Sequence, residues 1–433
     1  MDTRVLADEI IPVMTDKLMG APESGLWARY SIFSVCFMAF CVSLGTAMVS
    51  LSKAMVLVAA LGQLWMDGRP HAIKWFARAP RAVWFILASL AWFALSATWT
   101  DAYPGEAYTV FWGHARLLWL LAVLYVLNSP SRAWGALKWL ALGQVFVVLT
   151  SWMKWLGIPL NWLSDNNDPA LGIMFTSTLE QPIMSTLLAV LLWHLRDHWA
   201  QKLGRHGRLV VYVGLLLTIA NVLLIMSGRT GYLVMLVSLG LSFLMIATPR
   251  WRMVAALTPI LVMAVALQVS PRVHERVMQI QKDLELYQRG DFNTSSGQRL
   301  DYWRAAVEGA LERPWIGHGV GSYSRTYSDH GGFEKRILRD PHQQYLFWWA
   351  EGGLVAVTLL VGFLWSLIQS ARAMPLPQGR TLICTVAVAA TMAFSTCPFF
   401  GAGMGEFLLL MMASLLATQA RDGAQHTRSE LIA

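Results

Sequence analysis

His342 lies in RDPHQQYLFWWAEGG, where a charged stretch meets a long apolar run. Pro341 suits a loop end or a first helical turn, so His342 is expected at a helix start. The positive end of a helix disfavours an imidazolium. A neutral imidazole can accept a proton near physiological pH. The plainer alternative is an interfacial histidine bonded to backbone. Arg229, in MSGRTGYLV, stands between two apolar runs with only a few residues of turn. A planar guanidinium binds phosphate oxygens in pairs. Gly228 and Gly231 would let a ligand come close to the backbone. An arginine at the end of an apolar run can equally snorkel.

Arg299 and Arg304 occur in SGQRLDYWRAAVEGALERPWIGHGVGSY. Their five-residue spacing points them in different directions on one helix. One could face an anion while the other pairs with Asp301 or Glu308. A solvated amphipathic helix is the plainer alternative. Arg116 in WGHARLLWLL and Glu351 in WWAEGGLVA place charge inside apolar runs. Such charges are costly and are functional candidates by default. Arg116 could instead be paired within a helix bundle. Glu351 could pair with a cation, or help fix a kink with Gly352 and Gly353. The sequence carries no phosphate-binding P-loop, HExxH, GxSxG or CxxC pattern. It also lacks the Asp-rich signature of a divalent-metal diphosphate site. No metal or cofactor site is expected. Cys36, Cys41, Cys384 and Cys397 read as small hydrophobes.

The elements that must position these residues are membrane helices. Apolar residues make up 56% of the 433 and charged ones 14%, against roughly 45–50% and about 25% in soluble domains. The apolar residues gather in runs long enough to cross a hydrocarbon core of about 30 Å. Many of the 21 Trp lie near the ends of these runs, as interfacial anchors do. Twelve runs are predicted to span: 30–49, 51–66, 83–98, 107–127, 133–156, 181–196, 209–226, 230–247, 253–269, 345–369, 380–396 and 405–419. Every second loop is basic, including 67–81, 128–132, 196–208, 248–252 and 371–380. The positive-inside rule makes those loops cytoplasmic and puts both termini on that side. The net charge of +8 is thereby explained without nucleic acid. The N-terminus lacks a signal-peptide pattern, so the first run is expected to be a retained helix.

The division that follows is residues 1–269 with nine spans, an outer loop 270–344, residues 345–419 with three spans, and a cytoplasmic tail 420–433. Within the loop, 271–288 and 299–312 have helical periodicity. GHGVGS, at 317–322, is a turn-rich break.

Three groups of residues, in order, resemble the superfamily of O-antigen ligases (WaaL-type) and O-antigen polymerases (Wzy-type). They are Ser227-Gly228-Arg229; Arg299, Trp303 and Ala306 followed by Pro314, Gly317, Gly319 and Gly321; and His342, Gln343 and Leu346 followed by Glu351 and Gly353. The resemblance covers roughly residues 180–400. Gln343 stands where relatives commonly have Asn, a mild departure between two amides.

The resemblance implies an integral-membrane glycosyltransferase fold of the broad C type. It implies transfer of a glycan from undecaprenyl diphosphate to a sugar hydroxyl of lipid A–core, at the periplasmic face of the inner membrane, without a metal and with inversion. His342 would take the acceptor proton. Arg229 and Arg299, with Arg304 and Gln343 behind them, would hold the diphosphate, and Arg116 and Glu351 would support the site. A polymerase and a protein O-oligosaccharyltransferase are the nearest alternatives. A transporter of lipid-linked glycan is a rival of another class. Against it, the charges concentrate at the outer surface rather than along a mid-membrane path.

Overall fold

The computed structural model describes residues 25–158, 160, 173–332 and 337–419. The readings made for residues 1–24, for most of the loop 157–180 and for the tail 420–433 lie outside the described residues. Every regular element among the described residues is helical. The chain opens with α1 (Leu26–Cys41), α2 (Thr46–Arg78) and α3 (Arg81–Ser96). Next, α4 (Glu106–His114) continues through a tight turn at Ala115–Leu117 into α5 (Leu118–Val126). There follow α6 (Pro130–Trp155), α7 (Glu180–His194), the short α8 (Arg196–Lys202) and α9 (Gly207–Ala220), which ends in a π turn at Asn221–Ile225. Then α10 (Arg229–Ile246) and α11 (Arg252–Val269) lead to the outer segment. That segment carries α12 (Pro271–Gln288), α13 (Ser295–Glu312) and α14 (Tyr323–Asp329). The chain returns through α15 (Gln344–Arg372), α16 (Leu376–Met392) and α17 (Met404–Ala417).

A helix occupies each of the twelve predicted runs. Among the described residues seven helices are long and apolar enough to cross a membrane by length and composition, and α1, α3 and α17 are shorter apolar helices. The predicted helices of the outer segment match α12 and α13. Local chemistry sets their starts. Ser270 accepts a hydrogen bond from Val273 N at 3.4 Å with Pro271 in the first turn, and Thr294 accepts from Gly297 N at 3.0 Å.

The basic stretch 67–81, predicted as a loop, is mostly helix. Gly68, at φ 71°, breaks α2, and the chain then re-enters the helix through Pro70 to reach Arg78. Pro is tolerated in a first turn, so the Gly-Pro signal marks a joint rather than an end.

Every residue of α17 is buried. A helix that is apolar all round belongs in the core. Its Glu406 receives a hydrogen bond from Lys53 Nζ of α2 at 2.8 Å and one from Gly403 N at 2.6 Å, so the buried charge is paired. By contrast, α11 buries only Ala255 and Ala266 and exposes Ile260, Leu261 and Val265. In a bilayer that face meets lipid tails.

Candidate active site

Arg229 is the first residue of α10. The glycines around it are packing devices. A Cβ on Gly228 would lie 2.4 Å from Thr178 O, and one on Gly231 would lie 2.5 Å from Pro182 Cβ. They seat the helix start against α7, which differs from the ligand approach predicted for them. The Arg229 guanidinium donates to Asp283 Oδ2 of α12 at 3.2 Å and to Ser296 Oγ of α13 at 2.9 Å. Ser296 also donates to Asp283 Oδ2, at 2.7 Å.

Arg299 follows Ser296 by three residues and so shares its face of α13. Burial, and then the neighbouring Arg229 charge, lower its pKa from the ordinary value. Among the described residues its side chain has no carboxylate partner. Of the two neighbouring guanidiniums only Arg229 is paired with a carboxylate among the described residues, Asp283, which leaves an excess of positive charge.

The same helix reaches His342. Trp303 Nε1 donates to Pro341 O at 3.1 Å, and the Tyr302 ring centroid is 5.9 Å from that of His342. Trp303 follows Arg299 by four residues, a rise of about 6 Å along the helix. The cationic pair and the histidine are thus about one turn apart along α13.

His342 does not start a helix. It precedes Gln343, the N-cap of α15, and holds φ 52°, the one non-glycine positive φ among the described residues. Backbone of this kind is strained and clusters at functional sites. Asp340 supports it twice. Its Oδ1 accepts the His342 backbone N–H at 2.9 Å and lies 3.2 Å from His342 Nδ1. Burial alone would raise the Asp340 pKa. Hydrogen bonds from the His342 ring and amide, with one from the Cys397 thiol, hold it below 3.8 instead. With Nδ1–H donating to Asp340, Nε2 is the free lone pair. An acid–imidazole pair of this kind can abstract a proton from a hydroxyl.

The other predicted residues are engaged elsewhere. Arg304 donates to Asp301 and Glu308, each at 2.9 Å, and to His330 O at 3.1 Å. The Gln343 side-chain oxygen caps α15 by accepting Leu346 N at 2.6 Å. Arg116 donates to Phe400 O, inside the bundle.

Glu351 is buried in α15, 3.0 Å from His114 Nε2, and accepts Gly321 N at 2.9 Å. Just beyond it, Gly353, at φ 66°, breaks the helix. The glycine turn mends the break. Ala350 O and Glu351 O accept from His318 N and Gly319 N at 2.9 and 2.8 Å, while Leu354 N donates to Pro314 O at 2.8 Å. Backbone groups at membrane depth must be satisfied in this way.

Asp283, Ser296 and Asp340 were missed as site residues. Asp340 had a signal, an acid two residues before His342; Asp283 had none near Arg229. Among the described residues no group of three or more His, Cys, Asp or Glu is arranged to hold a metal ion.

Residues 213–361 match the family described as O-antigen ligase, consistent with a member of that superfamily. The matched stretch includes Arg229, Arg299, His342 and Glu351 and leaves out Arg116. No curated protein shows significant similarity to the chain.

Proposed function

We propose that this chain, similar to O-antigen ligases over residues 213–361, is a membrane glycosyltransferase that uses a lipid diphosphate donor. The observation that carries the reading is the cationic Arg229–Arg299 pair, about one turn of α13 from the Asp340–His342 pair. In this reading a sugar hydroxyl of the acceptor attacks the anomeric carbon of the donor glycan. His342 Nε2 takes the hydroxyl proton as the new C–O bond forms. The bond from the anomeric carbon to the diphosphate breaks, and the lipid diphosphate leaves with the electron pair. Arg229 and Arg299 stabilise the charge that develops on it. Asp283 offsets one of the two cations, which leaves the pair suited to an anion. Attack opposite the leaving group inverts the anomeric centre. The two guanidiniums stand where other enzymes use a divalent ion.

The donor in this reading is undecaprenyl-diphosphate-linked O-antigen and the acceptor is lipid A–core. All twelve apolar helices cross the inner membrane with both termini cytoplasmic. The segment 270–344 is periplasmic, and the architecture is of the broad C type. Arg304 and Gln343 act on the segment's structure rather than on the diphosphate.

Ligase and polymerase share the donor chemistry and differ in the acceptor. Lipopolysaccharide from a strain lacking this chain separates them. A ligase predicts core without O-antigen and accumulated polymerised lipid-linked glycan. Core capped by single repeats would instead indicate a polymerase.

A further inference from the structure

We infer that Glu106 and Arg339 form a positioning clamp that holds the Asp340–His342 pair in its working geometry; this rests on the reading of His342 as the base. Arg339 immediately precedes Asp340. Its Nε donates to Glu106 Oε2 at 2.8 Å and its Nη2 to Glu106 Oε1 at 3.0 Å. Two N–H donors on two oxygens fix orientation as well as distance. Glu106 is buried and opens α4. The start of that helix is packed tightly on the glycine turn, since a Cβ on Gly321 would lie 2.7 Å from Ala107 Cα. The carboxylate therefore stands on a rigid part of the bundle.

The stretch 338–342 needs such an anchor. A residue other than glycine holds a φ of 52° only where its surroundings over-determine it. Ser324 Oγ donates to Leu338 O at 2.7 Å and Trp303 Nε1 to Pro341 O at 3.1 Å. Those bonds tie the stretch to α14 and α13, both in the outer segment. The Glu106–Arg339 fork ties it to the first residue of a membrane helix. Without the fork, the stretch keeps its bonds to α13 and α14 and the Cys397 thiol on Asp340, but loses the two-point hold that orients it on α4. His342 Nε2 would then lose its alignment while the anion site, built from α10, α12 and α13, remained.

The test uses the purified full chain as Glu106→Ala, Arg339→Lys and the double variant Glu106→Arg/Arg339→Glu. Two readouts are taken. The first is the kinetics of transfer from undecaprenyl-diphosphate-linked glycan. The second is the rate at which diethyl pyrocarbonate modifies His342, read by mass spectrometry. The clamp predicts that Glu106→Ala lowers kcat about tenfold or more, with the donor KM within about twofold of wild type. It predicts an altered modification rate of His342 and recovery of both readouts in the charge-swapped double variant. Arg339→Lys keeps the charge but loses the fork, and is predicted to fall between. It decides the matter if Glu106→Ala does not fold. Unchanged kcat and unchanged His342 reactivity in the single variants overturn the clamp. So does a folded double variant with no recovery. If the wild-type chain transfers no glycan, the functional reading fails, and the reactivity of His342 still decides the clamp.

Discussion

Arg299 and Arg304 sit on one helix and meet opposite surroundings. Arg304 is satisfied by two carboxylates and a carbonyl, whereas Arg299 is set against Arg229. Arg299→Ala should therefore lower the transfer rate by about 100-fold, the scale of losing one charge-stabilising donor. Arg304→Ala should leave the rate within about a factor of ten and act on stability, as half-exposed ion pairs do. Steady-state kinetics beside thermal unfolding separates the two. Asp340 gives a pH prediction. Its folded pKa lies below the ordinary 3.8, so its contribution to stability is complete above that value. The contribution is lost as pH falls through the folded value. The stability difference between wild type and Asp340→Asn should be constant above about pH 5 and shrink below about pH 4. Thermal unfolding in detergent across that range checks it. Candidate residues were legible where a rare charge interrupts an apolar run or ends one, as with His342, Arg229 and Glu351. Their partners were not. Arg229 and Asp283 are 54 residues apart, and His114 and Glu351 are 237 apart. No local pattern encodes such pairs.

Among the elements, α15 and the glycine turn make one unit. The turn at 314–321 supplies hydrogen bonds that the broken helix has lost, and Glu351 closes the assembly through Gly321 and His114. Gly353→Ala tests this unit. Its φ of 66° and ψ of −169° suit glycine alone, and a Cβ would lie 2.1 Å from Trp315 O. The conformational part alone costs on the order of 1–3 kcal/mol. Gly214→Ala in α9 is the control, since its Cβ would meet only Leu192 at 3.7 Å. The first change should lower the thermal midpoint and the second should leave it near wild type or slightly raise it. The sequence placed the helices through apolar length alone, because each run must satisfy its own backbone in lipid. It misread the joint at Gly68 and put His342 at the start of a helix rather than just before the helix's N-cap, Gln343. Breaks and caps depend on contacts from other parts of the chain, so their positions were less visible.

At the scale of the molecule, the two halves of the proposed chemistry belong to different solvents. The apolar helices, with α17 at the core and α11 at the rim, are built for hydrocarbon. The segment from Pro271 to Pro341 is rich in charge and is held to the bundle through Arg339 on Glu106 and through the glycine turn on α15. A lipid-linked donor has the same division, with its tail in the bilayer and its diphosphate at the surface. The central claim is that Arg229, Arg299 and His342 act on such a donor without a metal. The most direct measurement follows the purified chain in nanodiscs with undecaprenyl-diphosphate-linked glycan, lipid A–core and EDTA. The account predicts release of undecaprenyl diphosphate matched by glycosylated acceptor, with His342→Ala slower by about 100-fold or more. Full activity in His342→Ala, or loss of wild-type turnover in EDTA, would contradict it.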